Sequence, residues 1–314
     1  MYQIILANGR TWTLGAMMGA ENWLSALASV MKLPSFPDTG PADLIFALPP
    51  EGHQIGKEPP KWGPGGPLDK CSCEWSSRVC PGVVFYSHPD APHVVCCLTN
   101  GHGPRFPMEQ MRRSLLPIFE GELGAGSIPL HAALVEHDGK AVLLAGKSGV
   151  GKSTCCRRLP QGWEVLSDDM ALVLRTSESY KAHPVPTWSA VEDFRGRQSW
   201  SINRHVVLSA IFFLDQADRD EMFPLGRGEA TLGIYDASSI CFQTLSGQSN
   251  VHKGLPYRKQ VFENATSLAT AVPAFRLRVS LTGRFWEKIE EVLEKQQPNS
   301  GPIKLECRIS HVAR

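Results

Sequence analysis

The stretch Ala141-Val142-Leu143-Leu144-Ala145-Gly146-Lys147-Ser148-Gly149-Val150-Gly151-Lys152-Ser153 decides the fold class of this 314-residue chain. Its apolar opening reads as a buried strand, and the run after it has the spacing G-x-x-x-x-G-K-S. A loop of that composition turns several backbone N–H groups toward one point, and its glycines let the backbone approach a ligand with no Cβ in the way. A helix beginning near Lys152 adds its positive end. The ligand suited to such a loop is a chain of nucleotide phosphates. ATP is therefore the expected cofactor, held by Gly146, Lys147, Ser148, Gly149, Val150, Gly151, Lys152, Ser153 and Thr154. Lys152 is expected at the β- and γ-phosphates, and the Ser153 hydroxyl at Mg2+. The plainer alternative is a glycine turn between strand and helix with no ligand.

Downstream, Trp163-Glu164-Val165-Leu166 reads as a short strand that runs into Ser167-Asp168-Asp169 and then the apolar run Met170-Ala171-Leu172-Val173-Leu174. Two adjacent carboxylates are costly to hold together unless a cation or a proton shares their charge. A magnesium ion on a bound nucleotide supplies that cation, whereas a solvated turn needs none. Upstream, the segment from Ser127 to Val135 is a second strand candidate, pairing with 140–145 through a turn at Asp138-Gly139. That pairing sets His131 on the strand beside the one feeding the loop. Histidine titrates near neutrality, so His131 suits either a site or a hydrogen-bonded place in a half-buried strand.

A histidine in one strand, a short hairpin, an apolar strand, the glycine loop and a strand ending in Asp-Asp together resemble the C-terminal catalytic domain of HPr kinase/phosphorylase. The run His183-Pro184-Val185-Pro186-Thr187-Trp188 and the strand Ala210-Ile211-Phe212-Phe213-Leu214 are similar, more narrowly, to HPr-kinase-like proteins of clusters that modify ribosomally made peptides. These include lasso-peptide serine kinases and ScmC-type cassette proteins, which the opening Asn8-Gly9 hairpin, Trp12 and the helix around Trp23 also resemble. The resemblance is specific over 127–240 and weaker outside. It implies ATP-dependent phosphorylation of a hydroxyl, with Asp168 as general base, Asp169 near the metal and His131 adjusting the carboxylate. Two features depart from the HPr-specific kinases. Thr154 stands where they carry an acidic residue, and Glu192-Asp193-Phe194-Arg195-Gly196 replaces their Glu-Ile-Arg-Gly signature. Glu192 is carried over as a metal contact and Arg195 as a phosphate contact, and HPr itself is not the expected acceptor.

The implied fold is α/β: a mixed sheet with flanking helices in a P-loop kinase unit at 123–314, preceded by a smaller α+β unit at 1–122 that captures substrate. The chemistry asks for alignment, charge neutralisation and a proton acceptor, which Lys152, the loop amides, Mg2+ and an aspartate provide. An arginine normally completes the clamp. Arg195, Arg197, Arg227 and Arg258 are candidates, and each reads equally well as a solvated surface charge.

Composition narrows the partners. Lys and Arg total 32 against 31 Asp and Glu, a balance that argues against nucleic acid or an anionic membrane surface. No apolar run is long enough to span a bilayer, and the start lacks the pattern of a signal peptide, so a cytoplasmic protein is expected. Assembly into a homo-oligomer is a further expectation drawn from the resemblance. Of nine cysteines, Cys71, Cys73 and Cys80 are close enough to raise zinc, but paired C-x-x-C knuckles are missing and reduced, packed thiols fit better. Cys155 and Cys156 follow the loop and should face the core, although a place near a helix N-terminus can acidify a thiol.

The Pro- and Gly-dense segment 49–69 reads as a long loop, Val83–Ser87 and Val94–Leu98 as a hairpin, and 108–119 as a helix before a glycine-bearing junction at 121–126 that separates the two units. Beyond the Asp pair the chain reads as strand-rich, with 206–214 its most apolar segment, a strand at 277–281, an amphipathic helix over 284–296 and an alternating strand at 303–309. Three functions fit these residues: a kinase acting on a peptide hydroxyl, one acting on a small hydroxyl compound, and a nucleotide-driven switch that transfers nothing.

Overall fold

The computed structural model describes residues 1–37, 40–51, 60, 75–99, 106–188, 200–247 and 255–295. Its first sheet is built from β1 (Tyr2–Ile5), β2 (Thr11–Met17), β3 (Leu44–Ala47), β4 (Ser76–Cys80), β5 (Val83–Ser87) and β6 (Val94–Leu98), with α1 (Glu21–Val30) crossing between the parallel strands β2 and β3. The spatial order is β1-β2-β3-β6-β5-β4. The hairpin expected at 83–98 is present as the antiparallel pair β5–β6. Two helices follow, α2 (Phe106–Ser114) and α3 (Leu116–Leu123), where the sequence suggested one.

The second sheet is formed by β7 (Ile128–Leu130), β8 (Ala132–His137), β9 (Lys140–Ala145), β10 (Trp163–Ser167), β11 (Met170–Arg175), β12 (Tyr180–Val185), β13 (Val206–Gln216), β14 (Glu221–Pro224) and β15 (Ala274–Val279). The short α4 (Lys152–Arg158) lies between β9 and β10. The long α5 (Arg227–Ser246) and α6 (Leu255–Ala271) separate β14 from β15, and α7 (Phe285–Lys295) comes last. Antiparallel β8–β9 is joined at Asp138 (φ 50°) and Gly139 (φ 75°), the left-handed pair that a two-residue hairpin turn requires. β9 and β15 both run parallel to β13, so the fold is a mixed α/β sheet.

β9 shows why this sheet is central. Ala141, Leu143 and Ala145 face one apolar core while Val142 and Leu144 face another, the period of two expected when both faces are covered. The first core also takes Leu14, Leu44 and Phe46 of the first sheet together with residues of α1, α2, α3, α5 and α6, so it is continuous between the two sheets. The second core is closed by Cys155 and Cys156 of α4 and by Phe285, Ile289, Val292 and Leu293 of α7, an i, i+4, i+7, i+8 stripe.

Two expectations change. The C-terminal half is not strand-rich throughout, since it holds α5, of 20 residues, and α6, of 17. The buried stripe of α5 is Ala230, Thr231, Ile234, Ala237, Ser238, Cys241, Phe242 and Leu245, helical in spacing but largely small or hydroxylic, so apolar periodicity is faint. Gly233 further disguises it, yet a Cβ there would come within 2.6 Å of the Phe213 ring. At the junction near 121–126, Glu122 is wholly buried and holds Asn8, Arg10 and Trp12. Finally, the apolar strand at 277–281 is displaced to Ala274–Val279, leaving Leu281 exposed. The alternating segment 303–309 and most of 49–69 lie outside the described residues. Among the described residues no helix is long and apolar enough to cross a membrane.

Candidate active site

β9 delivers the glycine loop at the level of Phe213 on β13. At Gly146 the backbone turns with φ 151°, and a Cβ would lie 2.9 Å from Val150 Cγ1, so both conformation and space require glycine. Gly151, at φ 109°, caps α4 with no side-chain help, and the helix starts at Lys152 as the spacing implied. Gln216, at the end of β13, donates from Nε2 to the Gly149 carbonyl at 3.1 Å and ties the loop to the sheet. Lys147, Ser148 and Gly149 are exposed, whereas Gly146, Val150, Gly151, Ser153 and Thr154 are half-buried.

The Lys152 side chain is buried and turned back on the loop, its ammonium donating to the carbonyls of Gly146 (2.9 Å) and Lys147 (3.3 Å) and to His131 Nε2 (3.0 Å). An ammonium has no lone pair, so Nε2 accepts and the imidazole proton sits on Nδ1. That Nδ1 is 3.3 Å from Asp169 Oδ1. The three residues form one polar line, Lys152 to His131 to Asp169. Strand register explains the meeting. The strand expected across 127–135 bends at His131, so that β7 pairs with β11 while β8 pairs with β9 and β10. Ala171 lies opposite Leu130, which sets the Asp turn beside His131. The His131 N–H, released from the ladder by the bend, donates to Ala237 O of α5 at 3.1 Å.

The Asp turn is held from within. The buried Ser167 hydroxyl donates to Met170 O at 2.7 Å, and Asp168 makes a reciprocal pair with Thr187: the hydroxyl donates to Asp168 Oδ1 at 2.6 Å and accepts the Asp168 N–H at 3.2 Å. Thr187 belongs to the family-like run 183–188. Its contact with Asp168 could not be foreseen, because it depends on β12 lying next to β11.

Burial acts to raise the Asp169 pKa, but the His131 hydrogen bond, together with the positive charges of Arg112 and Lys152, outweighs it and holds the carboxyl below its ordinary value. Burial lowers the Lys152 pKa against the opposing pull of Asp169 and Asp168. Of the four arginine candidates, Arg195 and Arg197 lie outside the described residues, as does Glu192, while Arg227 and Arg258 are exposed on α5 and α6. The arginine whose charge acts on Asp169 is Arg112 of α2, a residue the sequence placed in a separate unit.

The cysteines resolve simply where they are described. Cys155 and Cys156 are buried, and burial pushes their thiols up to about 11 and about 12, so the helix terminus does not acidify them. Cys80 is a buried free thiol at the end of β4, while Cys71 and Cys73 lie outside the described residues. Among the described residues no group of three or more His, Cys, Asp or Glu side chains could hold a metal ion by itself.

The family described as SynChlorMet cassette protein ScmC matches residues 94–294, well over half of the chain. HPr kinase/phosphorylase from two strains of Leptospira biflexa serovar Patoc is 32% identical over 107 residues, 28% of this chain and 33% of the relative. The chain thus spans about a third of the length of these curated relatives. Among solved structures, the Hpr(Ser) kinase/phosphatase from Coxiella burnetii is similar with a TM-score of 0.30 and 13% identity, over 53% of this chain and 88% of that one.

Proposed function

The chain belongs to the ScmC family and is HPr-kinase-like, and from that premise we propose that it is an ATP- and Mg2+-dependent kinase that phosphorylates a hydroxyl, a serine of a ribosomally made peptide. The observation that carries this reading is His131, whose two ring nitrogens join the lysine of the glycine loop to the second carboxylate of the Asp turn. A glycine turn serving only to connect strand and helix needs no such link.

Each residue then has a task. Asp168, with Oδ1 engaged by Thr187, keeps Oδ2 without a hydrogen bond among the described residues. That oxygen takes the acceptor's hydroxyl proton as the new O–P bond forms and the bond between the γ-phosphorus and its bridging oxygen breaks, releasing ADP. Lys152 leaves the loop carbonyls to meet the phosphoryl oxygens, exchanging dipoles for full negative charge. His131 keeps Asp169 oriented and ionised. The Ser153 hydroxyl and the Asp169 carboxylate are hard oxygen donors of the kind Mg2+ prefers, and bound there the ion would neutralise phosphoryl charge. The first sheet presents the acceptor.

The test is mass spectrometry after incubation with Mg-ATP and a panel holding the peptide encoded beside the protein, free serine, threonine and inositol. Gain of one phosphoryl group on the peptide is the expected result. Gain on a small molecule instead would replace the acceptor class, and ATP binding with no gain on any acceptor would point to a nucleotide switch.

A further inference from the structure

Arg112 stands out as a half-buried cation with few partners among the described residues. Its side chain is 18% exposed, its Nε is buried without an acceptor among the described residues, and its Nη2 is 3.6 Å from Glu109 Oε2. That same oxygen is held more closely by Arg113. Two guanidiniums therefore share one carboxylate on α2. A guanidinium does not escape by losing its proton, so Arg112 remains a fixed charge that wants another anion.

The surroundings indicate where that anion belongs. α2 packs on α5, and α5 supplies the Ala237 carbonyl that fixes the His131 backbone. The Cys241 thiol, also on α5, lies within electrostatic range of both Arg112 and Asp169. Arg112 thus acts on the Asp turn from a helix that packs both on α5 and on β5 of the first sheet.

We propose that Arg112 is a phosphoryl-binding residue of this site, delivered by α2, whose guanidinium fork takes the oxygens of the transferred group. This deepens the kinase reading and rests on it. Planar paired donors match two phosphoryl oxygens as a lysine cannot. The consequence is that the polypeptide before the glycine loop contributes to the chemistry as well as to acceptor capture. It also explains why α2 spends one carboxylate on two arginines: a second counter-ion would compete with the phosphoryl group.

The experiment uses the full chain and compares wild type with Arg112→Ala, Arg112→Lys and the neighbouring control Arg113→Ala, reading ATP affinity, kcat and melting temperature. We expect Arg112→Ala to lower kcat by roughly 10²–10³-fold, the scale for loss of one preorganised donor. Added guanidinium ion should restore part of that loss, Arg112→Lys should be intermediate, and Arg113→Ala should keep wild-type turnover. Wild-type turnover in Arg112→Ala overturns the inference and leaves the kinase reading standing. So does a loss that guanidinium does not rescue and that follows a lowered melting temperature, the mark of a structural arginine. A wild-type protein that binds no ATP overturns both.

Discussion

Glu122 and Asp169 are carboxylates drawn into the same protein and used in opposite ways. Glu122, wholly buried in the last turn of α3, is saturated: Oε1 receives Trp12 Nε1 at 2.8 Å and Arg10 Nε at 3.1 Å, and Oε2 receives Asn8 Nδ2 at 2.8 Å. Asp169 has one histidine contact at 3.3 Å, a side chain 29% exposed, and no hydrogen bond to Oδ2 among the described residues. A buried carboxylate engaged by donors on both oxygens fixes one geometry and is closed to a ligand. One held ionised with a lone pair in reserve can exchange partners. The contrast separates the part of the molecule that joins its two sheets from the part fitted for chemistry.

The largest effects should come from the under-coordinated side. Asp168→Asn keeps the Thr187 contact but removes the proton acceptor, so kcat should fall by roughly 10²–10⁴-fold while ATP affinity is retained. Single-turnover transfer and equilibrium nucleotide titration separate the two. If both fall together, Asp168 serves the metal and the base lies elsewhere. Lys152→Met should lower kcat by roughly 10²–10³-fold. It should not lower stability, because burial already disfavours the ammonium and an apolar side chain of similar length relieves that cost. A marked drop in melting temperature would show that the lysine is part of the scaffold, as Glu122 is.

Glu122→Gln addresses the saturated side. A carboxamide turns one NH2 toward donors, so Trp12 or Asn8 loses an acceptor in a buried place at a cost of about 2–3 kcal/mol. Arg10 is half-exposed and can return to water. Urea unfolding should register this loss, and kcat measured well below the unfolding midpoint should stay unchanged. A fall in kcat without a fall in stability would mean that the saturated carboxylate also reports to the site.

What was legible in the sequence follows the same division. The glycine loop, its strand and the Asp turn are contiguous runs whose local conformation is dictated by a few residue types, and their positions agree with the structure. His131 and its task beside the carboxylate came from the resemblance, but its contact with Lys152 did not, since that meeting depends on the bend that sends β7 to β11 and β8 to β9. Thr187 and Arg112 were not singled out for the site, because each reaches it from an element remote in sequence. α5 was missed because small and hydroxylic side chains can line a tight helix–sheet contact, here with Gly233 against Phe213, without producing an apolar stripe.

The smallest expected effect concerns a second tie between the sheets and depends on pH. His183 is wholly buried on β12, its Nδ1–H donating to Ile202 O at 2.6 Å and its Nε2 accepting the Ala7 N–H at 3.0 Å, so only the neutral ring satisfies both. Burial, reinforced by His205 and Lys181 and opposed by the Ile202 carbonyl, lowers its pKa from 6.5 to about 4. Between those values the unfolded chain binds a proton that the folded protein refuses, so stability rises with pH across this window and is lost as pH falls from about 6.5 to about 4. The full depression corresponds to about 3 kcal/mol at one unit per 1.36 kcal/mol. Other carboxyl and imidazole groups also titrate in this range, so the decisive quantity is a difference of slopes. His183→Gln should be less stable than wild type at pH 7 but lose less on acidification to pH 4.5, when urea unfolding is compared at both values. Equal slopes would mean that the Ala7 contact yields on protonation and that the first sheet is held to the second by Glu122 and the shared apolar core.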